Sequence, residues 1–142
     1  MPQPPVTVRL DPRRLSQLKS IAQVEGISVA DVITQIIRAK IEAGTIDQSI
    51  PGISVERVTS GIRVDMGQGN AVTYSLDAAG ALARAIRSVV EGAPSQLNVD
   101  LRFGVVRQGT GIKIIAPFPG AEVAFPLTLA EDLAGLIEQA LS

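Results

Sequence analysis

The stretch Val6-Thr7-Val8-Arg9-Leu10-Asp11-Pro12 decides how the amino-terminal part of this chain is read. Its first five residues alternate apolar and polar side chains and are rich in β-branched residues, which predicts a short half-buried strand. Val6, Val8 and Leu10 would face one side, and Thr7 and Arg9 the other. Asp11 then reads as a helix N-cap, with Pro12 at the first helical position. Leu15, Leu18, Ile21 and Ala22 continue at helical spacing until Gly26, which suits a left-handed C-cap. Ser28 and Asp31 have the spacing of an acidic capping box and open a second helix. Val29, Val32, Ile33, Ile36, Ile37 and Ile41 line a wide apolar face that runs on through Ala43, and Gly44 ends it. A forty-residue unit cannot bury such a face alone, and a lone strand needs a partner for its edge. Pairing with a second copy would answer both needs.

These residues, V-T-V-R-L, D-P-R-R-L-S-Q-L, the turn E-G-I-S and V-A-D-V-I-T-Q-I-I, resemble the ribbon-helix-helix DNA-binding domains of Arc-like and MetJ-like repressors over residues 5–44. The resemblance implies an intertwined β-α-α homodimer whose two-stranded ribbon enters the major groove of double-stranded DNA. It also implies that Thr7, Arg9 and the position of Pro5 face base edges. Arg9 would donate to guanine and Thr7 would meet either a polar edge or a thymine methyl. Pro5 departs from the polar residue usual there. Phosphate would sit at the start of the second helix, near Ser28 and Val29. Arg13 and Arg14 place two cations in the first turn of a helix, against its dipole, and a phosphate would account for them. The same residues also fit a plainer reading, in which Thr7 and Arg9 are the solvated face of an edge strand and the arginines are solubilising charges.

Composition bounds the rest. The chain has 142 residues, of which 46% are hydrophobic and 19% charged. That suits one domain or two small ones, with little disorder. Aromatics make up 3%, so the core must be aliphatic. Without Cys or His, thiol nucleophiles, imidazole bases, disulfides and zinc fingers are excluded. No membrane span or leader pattern stands out, and a cytoplasmic protein is expected. Residues 1–44 carry six basic and four acidic residues, a balance of +2, while residues 45–142 carry seven and ten, a balance of −3. The basic excess therefore lies in the part read as DNA-binding.

Residues 1–45 are read as the DNA-binding and dimerisation domain, and 46–52 as a linker closing on Pro51-Gly52. Residues 53–142 read as a domain built on an internal repeat. Gly61-Ile62-Arg63-Val64 matches Gly111-Ile112-Lys113-Ile114 fifty residues later. After one inserted residue, Val72, Tyr74, Leu76, Leu82, Ala83 and Ile86 match Val123, Phe125, Leu127, Leu133, Ala134 and Ile137 at a spacing of 51. Each repeat reads β-β-β-α. Strands are expected near 53–58, 61–66 and 71–75, with a helix near 78–91, and again near 98–107, 111–116 and 121–126, with a helix near 129–141. Asp77 and Thr128 are expected N-caps. The fold class is then α+β: a ribbon-helix-helix domain followed by one antiparallel sheet with both helices on one face.

No catalytic constellation emerges. Asp65, Asp77, Asp100, Glu122, Glu131 and Asp132 are scattered, and Asp100 with Arg102 reads as a surface pair on one strand. Gly67-Gln68-Gly69 lacks the following helix of a nucleotide site, and Pro117-Phe118-Pro119-Gly120 reads as a rigid hairpin tip. No enzyme activity, metal or cofactor is expected. The function expected is a homodimeric transcriptional repressor, whose carboxyl-terminal domain joins dimers into tetramers or binds a small-molecule effector. The alternative is an antitoxin or DNA-partition adaptor whose carboxyl-terminal domain binds another protein.

Overall fold

The computed structural model describes residues 6–69 and 71–142. The chain is α+β and divides into two compact units, one running through Gln48 and the other from Ser49 to Ser142.

The first unit is a helix pair. Asp11 caps α1 (Pro12–Glu25) by accepting the Arg13 N–H at 2.8 Å, and Pro12 holds the first position. Gly26 ends the helix at φ +69, a conformation that glycine adopts without strain. Ser28 caps α2 (Val29–Glu42), its hydroxyl accepting the Asp31 N–H at 3.0 Å. The chain turns through 89° between the two helices. They therefore touch only near the turn, where Ala22 and Val32 are the buried residues of the two helices.

The expected strand at 6–10 is absent: these residues carry no regular secondary structure and are exposed. The unit is α-α, and the β-α-α order is overturned. Alternation specifies which way side chains would point, but a strand exists only where a second one satisfies its N–H and C=O groups. Among the described residues no second strand lies beside this stretch.

Ile50, near the start of the second unit, is buried in its core and not part of a linker as expected. It holds β1 (Ser54–Val58), β2 (Gly61–Asp65), β3 (Val72–Tyr74), α3 (Leu76–Val90), β4 (Gln96–Asn98), β5 (Phe103–Gln108), β6 (Gly111–Ile115), β7 (Glu122–Pro126) and α4 (Leu127–Leu141). All strand pairs are antiparallel, in two sheets ordered β1-β2-β3 and β4-β5-β6-β7. A single sheet was expected. Part of the reason for two is β4, a short strand the pattern had not separated, which covers the edge of β5.

The two repeats have matching registers. Val55 faces Val64 and Val105 faces Ile114; Ile62 faces Tyr74 and Ile112 faces Phe125. Gly61 and Gly111 occupy the same place at a hairpin. A Cβ on Gly61 would run into the Tyr74 carbonyl, and one on Gly111 would come within 2.8 Å of the Phe125 oxygen. Inward side chains from both sheets and both helices share one core, among them Ile62, Leu82, Ile86, Val105, Ile114 and Leu133. Each such side chain contributes about 1.5–3 kcal/mol on full burial.

Each helix packs on its own sheet and also on the first strand of the other repeat, α3 on β5 and α4 on β1. Two arginines fifty residues apart repeat this exchange. Arg57 donates to the carbonyls of Ala140 and Leu141 at 3.2 and 3.3 Å, and Arg107 donates to that of Val89 at 3.2 Å. Val89 and Ala140 are themselves equivalent, so each helix has its carboxyl end met by a cation from the other repeat, where the dipole favours one. The helices meet at another equivalent pair, Arg87 and Glu138, joined at 2.7 Å.

The expected caps at Asp77 and Thr128 are also corrected. Ser75 caps α3 by accepting the Ala78 N–H at 3.1 Å, and Asp77 lies inside the first turn. Strand β7 runs directly into α4, with Pro126 at the N-cap position and no side-chain cap bond.

Candidate nucleic-acid interface

Arg9 precedes α1 and Arg13 and Arg14 lie in its first turn, against the one acid Asp11, and all four are solvent-facing. Thr7 and Arg9 lie exposed on the irregular stretch before α1. They are not held on one face of a strand, as the sequence had suggested. Pro5 lies outside the described residues.

Arg13 is engaged within the chain. Its guanidinium donates twice to the Asp11 carboxylate, at 3.0 and 2.8 Å. The side-chain hydrogen bond holds the Asp11 carboxyl below its usual value and raises Arg13, with the backbone bond from Arg13 adding to the first effect. Both groups are exposed, so solvent and salt screen the pair. Asp11 therefore accounts for one of the two first-turn cations without any phosphate. Arg14 donates to Gln17 at 2.9 Å. Asp11, Arg13, Arg14 and Gln17 line an open depression at the start of α1.

At the start of α2 the Ser28 hydroxyl is occupied by the Asp31 N–H, and the Ser28 carbonyl accepts from Val32. Asp31 already places a carboxylate in that first turn. Val29 is half-buried. The anion-binding capacity expected there is thus partly met from within the helix.

Many of the large apolar side chains of this unit face outward. Val6, Val8, Leu10, Leu15, Ile21, Val24, Ile33, Ile36 and Ile37 are all exposed, Val24 at 87%. Burying Val32 contributes at most about 3 kcal/mol, whereas ordering each residue costs about 1–2 kcal/mol. The helix pair has no core that would sustain it alone.

Most of the cations of the second unit are engaged within it, Arg84 and Arg102 being exposed. Arg63 meets Glu56 and Asp65 at 3.5 and 3.9 Å, and Lys113 meets Glu122 at 3.0 Å. Arg57, Arg87 and Arg107 are engaged as described above. Asp100 and Arg102 lie in the turn before β5, so the expected pair on one strand is not formed there.

Sequence reading had passed over Tyr74. Its ring is buried and its hydroxyl donates to the Arg102 carbonyl at 2.8 Å. Burial raises the phenol well above its usual value, opposed by the Arg102 charge. Arg102 stands at φ +59, fifty residues after Gly52 at φ +83. The phenol locks a non-glycine residue into a left-handed turn, a structural role. The signal was available in the match of Tyr74 to Phe125.

Among the described residues no group of acidic side chains is arranged to hold a metal ion. No single helix among them is long and apolar enough to cross a membrane. Comparison with family models, with curated proteins and with solved structures returned no match.

Proposed function

We propose that this protein is a non-enzymatic, cytoplasmic DNA-binding regulator that acts as a homodimer through its helix pair. The observation that carries the reading is the helix pair itself. It consists of two helices at 89° across a three-residue turn containing Gly26, with no core of its own and with Arg9, Arg13 and Arg14 around its start. Near-perpendicular helices joined by a short glycine-containing turn recur in DNA-binding units, and an exposed apolar face of this extent marks an association surface. The cations of the second unit are largely spent on its own carboxylates and helix ends, which leaves DNA contact to Arg9, Arg14 and their neighbours. The reading needs no strand at residues 6–10. The repressor role within this proposal rests on the sequence resemblance of residues 5–44 alone, apart from the overturned β-α-α order.

The test uses the full chain and DNA duplexes selected from a random pool by the protein. Fluorescence anisotropy on selected and scrambled duplexes should show a preference for the selected ones. Arg9→Ala should reduce that preference by the roughly 1–3 kcal/mol of a lost base-edge contact. Ile33→Asp with Ile37→Asp should abolish dimerisation in sedimentation and DNA binding together. A wild-type chain that sediments as a monomer, or that binds no duplex at low salt, would end this reading.

A further inference from the structure

Of the four sheet edges in the second unit, β4 alone combines a lack of charge with exposed apolar side chains. The edge of β1 carries Glu56 and Arg57. That of β3 turns Val72 and Tyr74 inward and shows only Thr73. That of β7 has Glu122 at one end and Pro126, which lacks an N–H, at the other. Charges and prolines of this kind guard edges against pairing. Strand β4 reads Gln96-Leu97-Asn98, with Leu97 at 58% exposure and the following Val99 at 70%.

The internal repeat supplies a control for this face. Gly104 and Ile115 pair across β5 and β6, and their equivalents in the first repeat are Ser54 and Asp65, which pair across β1 and β2. The same position is polar in one repeat and apolar in the other. A Cβ on Gly104 would meet Leu97 Cδ2 at 2.9 Å and Ile115 Cδ1 at 3.1 Å. The missing side chain makes a notch that Leu97 fills with part of its surface while the rest stays in water.

We propose that β4 pairs antiparallel with β4 of a second copy of this chain, about a two-fold axis at Leu97. That register is self-complementary. Leu97 meets its own copy, and Gln96 meets Asn98, whose Oδ1 already accepts the Leu101 N–H at 2.9 Å and whose amide N–H groups can donate to the Gln96 oxygen. No charge faces its like. The corresponding arrangement of β1 about its middle residue would set Glu56 against Glu56, which is destabilising. An isologous contact of this kind closes on itself, and combined with the helix pair it would join dimers into tetramers. It stands on the second unit alone and does not require the reading of the helix pair.

A three-residue pairing is a small contact, so covalent capture is the suitable measurement. The chain has no cysteine, so single-cysteine variants of the full-length protein report one position each. Directly opposed residues in antiparallel strands have Cα atoms about 4.5–5.5 Å apart, inside the disulfide range of about 4.4–6.8 Å. Under mild oxidation Leu97→Cys should form a covalent dimer at least about tenfold faster than Thr73→Cys, from the effective concentration of a held pair. Gln96→Cys, off the axis, should lag behind Leu97→Cys. Equal rates at the three positions, or no linkage at Leu97→Cys, would overturn the proposal. Loss of dimers in the Ile33→Asp, Ile37→Asp chain with linkage at Leu97→Cys intact would separate this contact from the helix pair.

Discussion

Replacing Tyr74 by phenylalanine removes one oxygen from the core, and the structure bounds what that costs. The hydroxyl donates at 2.8 Å to the Arg102 carbonyl, which also accepts the Phe118 N–H at 2.9 Å. The acceptor therefore keeps a partner, and the penalty for orphaning a buried carbonyl does not arise. What remains is the net value of one hydrogen bond, about 0.5–1.5 kcal/mol. Phe125 occupies the equivalent site in the second repeat, so the ring itself fits. A loss near 1 kcal/mol lowers Tm by about 4–8 °C for a unit of this size. The pH dependence is sharper. Burial raises the phenol in the folded state above its ordinary value of 10.0. A raised value means stability that is fully present below pH 10.0 and lost as pH rises toward the folded value, because the unfolded chain ionises first. Wild type should therefore lose about 1.4 kcal/mol per pH unit above pH 10 relative to Tyr74→Phe, so the two stability curves should meet within about one pH unit and then cross. Tyr74 is the one tyrosine and there is no tryptophan, so phenolate absorbance reads this group directly, and urea unfolding followed by circular dichroism gives the stability. A folded-state midpoint at the ordinary value, or parallel curves for the two proteins above pH 10, would refute the argument.

Arg57→Met and Arg107→Met should each destabilise the second unit by about 1 kcal/mol in urea unfolding. A cost for one and none for the other would mean that the two helix-end contacts are not equivalents. Asp11→Ala should fray the start of α1, seen as faster amide exchange over its first turn. The lowered carboxyl in wild type means this stabilisation is present above the ordinary value of 3.8 and lost as pH falls through the folded value, so the variant should lack that acid transition. Freed of its carboxylate, Arg13 should also make DNA binding more salt-dependent, by about one unit of slope for each phosphate gained.

Local chemistry made the helix caps at Asp11 and Ser28, the stop at Gly26 and most hairpins legible before the structure. Each depends on residues adjacent in sequence. The repeat was legible because matching registers need matching spacing, and the offsets of 50 and 51 reappear in the strand pairing. Whatever depends on a second segment was not legible. The alternation at 6–10 was real, but its strand required a partner that the described residues do not supply. Strand β4 is too short to show a period, and its presence on β5 helped turn the expected single sheet into two. The cap at α3 went to Ser75 because its hydroxyl reaches the Ala78 N–H, whereas Asp77 already lies within the helix. At the candidate interface, the positions of Arg9, Arg13 and Arg14 could be read, but the internal claim of Asp11 on Arg13 could not, since two residues of separation allow many geometries.

The ion pair between Arg87 and Glu138 joins positions that correspond to one another in the two repeats. In an assembly of identical units, a residue on the symmetry axis meets itself, so a cation there would face a cation and an anion an anion. Such a place must be neutral, or its charge must be bent away. Joining the two units in one polypeptide lifts that restriction, because each copy of the position can then hold a different residue. The pair therefore serves as a label that distinguishes the halves. It rewards the first meeting the second and penalises either meeting its own kind, a form of self-recognition that only a chain carrying both halves can encode.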